Sequence, residues 1–179
     1  TIHLSFESKC ILLYNICFSI FWPINVFSSC LGIASLLVDQ KVRLKLRFLC
    51  WRGAAVLLRY PRKHKIPLEY VIIEVLFGEI FKLPVSNYRE VCLDSLFLEL
   101  YKLQPSTMPR VLARALELIY KRLDTMSIGC INRFSSWFAY HLSNFQFCWN
   151  GDDWNECISM NPLHPKPVFV RETLNKALR

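Results

Sequence analysis

From Pro67 to the end of the chain, apolar residues return every third or fourth position, and prolines cut the pattern into blocks of helical length. That period belongs to an α-helix; a half-buried strand would alternate every second residue. The first block, residues 68–82, sets Leu68, Val71, Ile72, Val75 and Leu76 at helical spacing, and Ile73, Phe77 and Ile80 widen the apolar surface. A helix this apolar on all sides is expected to lie between neighbours. Pro84 closes the block, because proline removes a backbone donor and clashes with the preceding turn.

The second block, residues 88–103, brings Leu93, Leu96, Phe97, Leu100 and Leu103 onto one stripe and stops at Pro105. Ser106 or Thr107 then supplies an N-cap, and Pro109 falls in a first turn, where its missing N–H costs nothing. The next helix runs to about Asp124, with Leu112, Ala115, Leu116, Ile119 and Leu123 inward. A fourth, over about 128–143, carries Ile131, Phe134, Phe138, His141 and Leu142. A short helix follows near 152–159, and another starts close to Pro167 with Phe169, Val170, Leu174 and Leu178. No window of this part alternates like a strand. Short connections force neighbouring helices to run antiparallel, and a pair of about 40 residues is the period of HEAT-like solenoids. The expected fold class is all-α: HEAT-like antiparallel helical repeats over 53–179, preceded by an unrelated hydrophobic N-terminal segment. An apolar content of 53% is ample for the core of one domain.

Residues 1–52 differ in kind. No charged side chain occurs from Cys10 to Val38, a length that qualifies as a transmembrane candidate. The basic cluster after it would favour a cytoplasmic C-terminal side. The run is too long for a signal peptide and has neither a basic leader nor a small-residue cleavage site. Asn15, Pro23, Asn25 and several serines interrupt it, and its Phe, Ile, Leu, Ser, Cys and Tyr bias also resembles translated thymine-rich non-coding sequence. Three readings stand: a mis-joined or unrelated segment, a membrane span, and a buried helical hairpin. With Thr1 at one end and an unfinished helix at Arg179, the chain reads as a fragment.

The net charge of +8 suggests an anionic partner until it is divided along the chain. Lys41, Arg43, Lys45, Arg47, Arg52, Arg59, Arg62, Lys63 and Lys65 face only Asp39 within residues 39–65, which carry the whole excess. Residues 66–179 hold 12 basic and 12 acidic side chains and are neutral, so they lack the clustered Lys and Arg from which phosphate binding draws its affinity. Residues 41–48 alternate basic and apolar side chains, which reads as a strand, a strip on an anionic surface or a solvated connector. The tract Arg59–Lys65 reads as a nuclear-import signal or a solvated loop.

A search for chemistry finds none. Cys10, Cys17, Cys30, Cys50, Cys92, Cys130, Cys148 and Cys157 form no C-x-x-C pair and no zinc spacing with histidine. They read as reduced structural residues, with Cys130 a small core hydrophobe. Asp152, Asp153 and Glu156 form one tight acidic group, placed where a helix start favours negative charge. His141 lies on an apolar face beside Phe138 and Leu142 and reads as a core histidine. Trp137, Phe145, Phe147, Trp149 and Trp154 form either a buried corner or an exposed binding hot spot. No hydrolase elbow, P-loop, dinucleotide fingerprint, zinc-protease helix or RRM signature occurs. The expectation is no catalytic, cofactor-binding or metal residue, no cofactor and no small-molecule substrate.

The run from Leu123 to Trp154 carries a resemblance. Leu123-Asp124-Thr125-Met126, Arg133-Phe134, Trp137-Phe138 and His141-Leu142-Ser143-Asn144-Phe145-Gln146-Phe147, with Trp149 and Trp154, closely resemble the large-subunit family of the nuclear mRNA cap-binding complex. His64-Lys65-Ile66-Pro67-Leu68-Glu69-Tyr70, Glu74-Val75, Phe77-Gly78-Glu79, Leu98-Glu99-Leu100 and Lys102-Leu103-Gln104-Pro105 fit upstream. Pro165-Lys166-Pro167 with Phe169-Val170-Arg171-Glu172 fits downstream. The family departs from this chain at Gly151, where it has Trp, and at Cys148, where it has a basic residue. The resemblance implies an incomplete MIF4G-like helical domain over 53–179. It implies a nuclear scaffold that orders a small RRM-bearing subunit, which itself holds the m7G cap of mRNA. Capped transcripts would be met only indirectly, in splicing, 3′ processing, export and decay. No partner-contact residues carry over. The other readings are a membrane-anchored helical interaction module, if 10–38 is genuine, and an RNA-binding module built on 41–65.

Overall fold

The structure is a computed structural model that describes residues 50–59, 68–84, 88–149 and 152–179. The uncharged run, the 41–48 strip and the basic tract beyond Arg59 lie outside those residues. Within them the chain forms six α-helices and no strand: α1 Cys50–Leu58, α2 Leu68–Ile80, α3 Glu90–Leu103, α4 Met108–Lys121, α5 Ile128–Asn144 and α6 Pro165–Ala177. Two 3-10 turns, Leu123–Thr125 and Asp152–Ile158, punctuate the second half. Among the described residues no helix is long and apolar enough to cross a membrane. The all-helical expectation holds.

The described residues divide into two compact units, one up to Leu116 and one from Glu117 on, with the boundary inside α4. In the first unit α1, α2 and α3 pack on one another. The small buried pair Gly53 and Ala54, with Leu57 a turn later, lets α1 approach its neighbours closely. As the sequence implies, α2 is buried nearly all round: Leu68, Val71, Ile72, Ile73, Val75, Leu76, Phe77 and Ile80 are all inside. The Phe77 ring meets Phe81 at 5.8 Å and, tilted, Phe97 of α3 at 5.3 Å. The peptide bond Leu83–Pro84 beyond this helix is cis. On α3, Leu93, Leu96, Phe97 and Leu100 are buried. Leu103, expected on the same stripe, is 46% exposed. It is the last residue of its helix, where Pro105 turns the chain away before another turn can cover it.

The start of α4 also differs in detail from expectation. Thr107 precedes the helix, but its hydroxyl donates to Gln104 Oε1 at 2.8 Å. Pro109 does sit in the first turn, and Leu112, Ala115, Leu116, Ile119 and Leu123 are all buried.

In the second unit α5 and α6 pair antiparallel, since Phe169 early in α6 meets Phe134 and Phe138 while Lys176 late in α6 meets Asn132 and Ser135. Ser127 caps α5, its hydroxyl accepting from the Cys130 N–H at 3.3 Å. His164 caps α6, Nδ1 accepting from the Lys166 N–H at 3.4 Å. The inner face of α6 is Phe169 and Thr173. Leu174 and Leu178, expected inward, are 40% and 79% exposed. Leu174 stands about 100° round the helix from the inward Thr173, and Leu178 lies beyond the last residue of α6.

Candidate partner-binding surface

The second unit is organised by a ridge of rings along α5. Residues 134, 137, 138 and 141 recur at three- and four-residue spacing, so their side chains stand one above another on a single face. The Phe134 ring stacks on Phe169 of α6 with centroids 4.7 Å apart, and Phe138 stacks on the same ring at 5.9 Å. Trp137 stacks on Phe134 at 6.3 Å and on His141 at 5.2 Å. Phe145 closes the upper end against His141 at 4.6 Å. Beyond the helix, Trp149 and Trp154 present themselves edge-on to Phe138 at 5.2 and 6.1 Å. Edge-to-face geometry sets the positive rim of one ring against the negative face of another.

The five aromatics read as either a buried corner or a hot spot therefore divide. Trp137 is 4% exposed and belongs to the core. Phe145, Trp149 and Trp154 are half-buried with ring contacts directed inward. Phe147 is the outward member, at 49% exposure. It stands on an unusual turn: Gln146 and Phe147 have φ of 54° and 57°, in the left-handed region that non-glycine residues avoid. The turn closes because the Phe147 N–H donates to the Leu142 carbonyl at 2.9 Å, the long-range bond of a helix C-terminal motif that more often uses glycine. Further large apolar side chains open to solvent in this unit are Ile128, Ile158, Leu163, Leu174 and Leu178.

His141 is buried, as its position implies, and burial holds its pKa down to about 4. It is neutral at neutral pH. Asp152 and Glu156 are exposed in the 3-10 helix Asp152–Ile158, which stands where the short helix was expected. Among the described residues no group of His, Cys, Asp and Glu could hold a metal ion. Cys130 is buried, Cys92 and Cys157 are half-buried and Cys148 is exposed; all four are unbridged. Cys157 Sγ lies 3.0 Å from the Tyr120 hydroxyl. In the first unit Asp94 is buried on α3, and burial, with the Glu90 carboxylate one turn away, raises its pKa to about 7. Burial likewise raises Tyr101 to about 12.

Sequence reasoning missed the two caps, the left-handed turn and Lys176. Ser127 ahead of Ile128 was a readable cap signal. The turn at Gln146–Phe147 had none, because no glycine marks it. The inward role of Lys176 also had no local cue, since its partners lie on another helix.

Comparison with known proteins places the chain. Residues 34–179 match the family described as MIF4G like. Nuclear cap-binding protein subunit 1 from Aedes aegypti is 53% identical over 126 residues, and those from Xenopus tropicalis and, as subunit 1-A, Xenopus laevis are 56% identical over 126 residues. The alignment takes in 70% of this chain and 16% of each relative, so the chain spans about a sixth of the length of these curated relatives. The family match begins upstream of Gly53, the expected start of the helical part.

Proposed function

Because this chain belongs to the MIF4G-like family, we propose that it is a non-catalytic scaffold segment of the large subunit of a nuclear cap-binding complex. The observation that carries this reading is the identity to the subunit 1 relatives, sustained over a stretch far longer than any motif. Three physical features support it. The stretch 66–179 is charge-neutral and so poorly suited to gripping an RNA backbone unaided. Its buried histidine is neutral and packed among rings, not poised in a cleft. Its outward apolar residues offer contact area to protein.

In this reading the partner is the small RRM-bearing subunit, and capped mRNA is met only through it. The work of the complex is nuclear and extends to splicing, 3′ processing, export and decay. The reading also divides the chain at Gly53, with 53–179 the incomplete MIF4G-like domain and 1–52 a segment of separate origin. Helix α1 spans Cys50–Leu58, and the family match covers residues 34–179.

The test is retention of the full chain on immobilised m7G cap, with and without purified small subunit. Retention only in its presence is expected. Retention without it overturns the scaffold role, and failure in both cases overturns assembly by this segment. Charge reversal at Lys41, Arg43, Lys45 and Arg47 should leave retention unchanged; loss of a salt-dependent RNA shift on that reversal would favour direct RNA binding.

A further inference from the structure

One end of the α5–α6 pair carries a polar cluster that the scaffold reading does not use. Lys176 Nζ donates to Asn132 Oδ1 at 2.6 Å, Ser135 Oγ at 3.0 Å, Ser136 Oγ at 3.0 Å and the Asn132 carbonyl at 3.2 Å. Both serine hydroxyls in turn donate to that same carbonyl, at 3.1 Å from Ser135 and 3.0 Å from Ser136. Their hydrogens are thereby committed within α5, and it is their lone pairs that face Lys176. An ammonium has three donors and no acceptor, so three N–H groups are shared among these four oxygens, the Asn132 carbonyl at 3.2 Å being the longest contact.

Two more observations bear on the charge. Ser135 is fully buried where Lys176 meets it. Lys176 also stands in the last turn of α6, where positive charge is favoured by the helix dipole. The contact is thus an ion–dipole clasp between helices. What it closes over is the aromatic ridge, because Phe169, 1% exposed, lies on the same inner face of α6.

We propose that Lys176 is a charge-dependent latch on α6, a modification site at which acylation of Nζ releases the helix from α5. Lys176 is half-buried and Asn132 is exposed, so the cluster lies at the rim, within reach of a modifying enzyme. The reagent class is an acyl thioester. The ammonium first gives one proton to solvent; the neutral amine then attacks the thioester carbonyl, a C–N bond forms, the C–S bond breaks, and the second amine proton leaves on the sulfur as thiol. The resulting amide keeps a single N–H and no charge. It cannot satisfy the oxygens that the ammonium bridged, and its added bulk abuts the buried Ser135. The latch opens, and the Phe134, Phe138 and Phe169 surfaces become available.

The test compares the full chain bearing Nε-acetyllysine at position 176 with the unmodified chain, Lys176→Arg and Lys176→Met, by amide hydrogen exchange. Acetylation and Lys176→Met are expected to speed exchange across 165–177 about tenfold or more, and Lys176→Arg, which keeps the charge, by less than about threefold. Exchange in 90–103, within the other unit, serves as the reference and should not change. Unaltered exchange on acetylation overturns the proposal. So does Arg opening α6 as fully as acetyllysine, Met holding it as Lys does, or equal loss of protection in 90–103, which would mean general damage in place of a local release.

Discussion

Replacing Trp137 by alanine removes one of the two rings, with Phe138, that join Phe134 to His141 along the α5 ridge. The indole is 4% exposed and lies between Phe134 and His141. A buried tryptophan withdraws about 150–250 Å² from water, which at about 25 cal/mol/Å² gives an upper bound of about 4–6 kcal/mol. The cavity left behind adds to the loss and partial collapse of neighbouring rings reduces it, so about 3–5 kcal/mol is expected. With a urea dependence of about 2 kcal/mol per molar, the midpoint followed by circular dichroism should fall by about 1.5–2.5 M. The deletion has a second readout. It is burial that holds the His141 pKa near 4, so removing the adjacent ring admits water and should raise it toward the ordinary 6.5. Trp137→Phe should lose less on both counts. A midpoint shift below about 0.25 M, or an unmoved His141 titration, would refute the buried-ridge description and return Trp137 to the surface.

Three more tests follow from buried polar groups. The unfolded chain holds His141 near 6.5 and the folded chain near 4, so the unfolded state binds more protons between those values. Stability of the second unit should therefore fall by about 3 kcal/mol as pH drops from about 6.5 to about 4, with a shallower loss in His141→Phe, read by exchange in 128–144. Asp94 has the opposite sign: its folded pKa of about 7 exceeds 3.8, so stability of the first unit should decline as pH rises through that window. Asp94→Asn should flatten the decline and stabilise the protein at pH 8 by on the order of 2–4 kcal/mol, seen in the urea midpoint. Thr173 is fully buried, and its hydroxyl meets no hydrogen-bond partner among the described residues. Thr173→Val should stabilise by about 1 kcal/mol, and a lowered melting point would show that the hydroxyl is bonded after all.

The α-helical period was readable because it depends only on which side chains avoid water, and it located α2 to α6 to within a few residues. It could not say which side of a helix finds a neighbour. Residues Phe169, Val170, Leu174 and Leu178 look like one apolar face, yet α6 turns Phe169 and the polar Thr173 inward. That choice depends on α5, which offers Phe134 and Phe138 to one ring and the Asn132–Ser136 oxygens to one ammonium. Thr107 shows the same limit at a helix start, since a nearby glutamine takes its hydroxyl. The functional reading rested on long identity to relatives, because scaffolds carry no reactive constellation for a motif to mark.

The all-round burial of α2 also bears on how this chain behaves before it is folded. A helix without a wet face gains nothing from forming alone, so α2 must condense together with its neighbours. Until then Val71-Ile72-Ile73-Glu74-Val75-Leu76-Phe77 is an apolar, β-branched window interrupted by a single charge, the composition that pairs edge-to-edge between molecules. Glu74 is thus the gatekeeper of the unfolded chain as well as a buried residue of the folded one. The yield of soluble protein on refolding is therefore set by a race between α2 finding its own unit and finding another copy of itself, and dilution tips that race toward the fold.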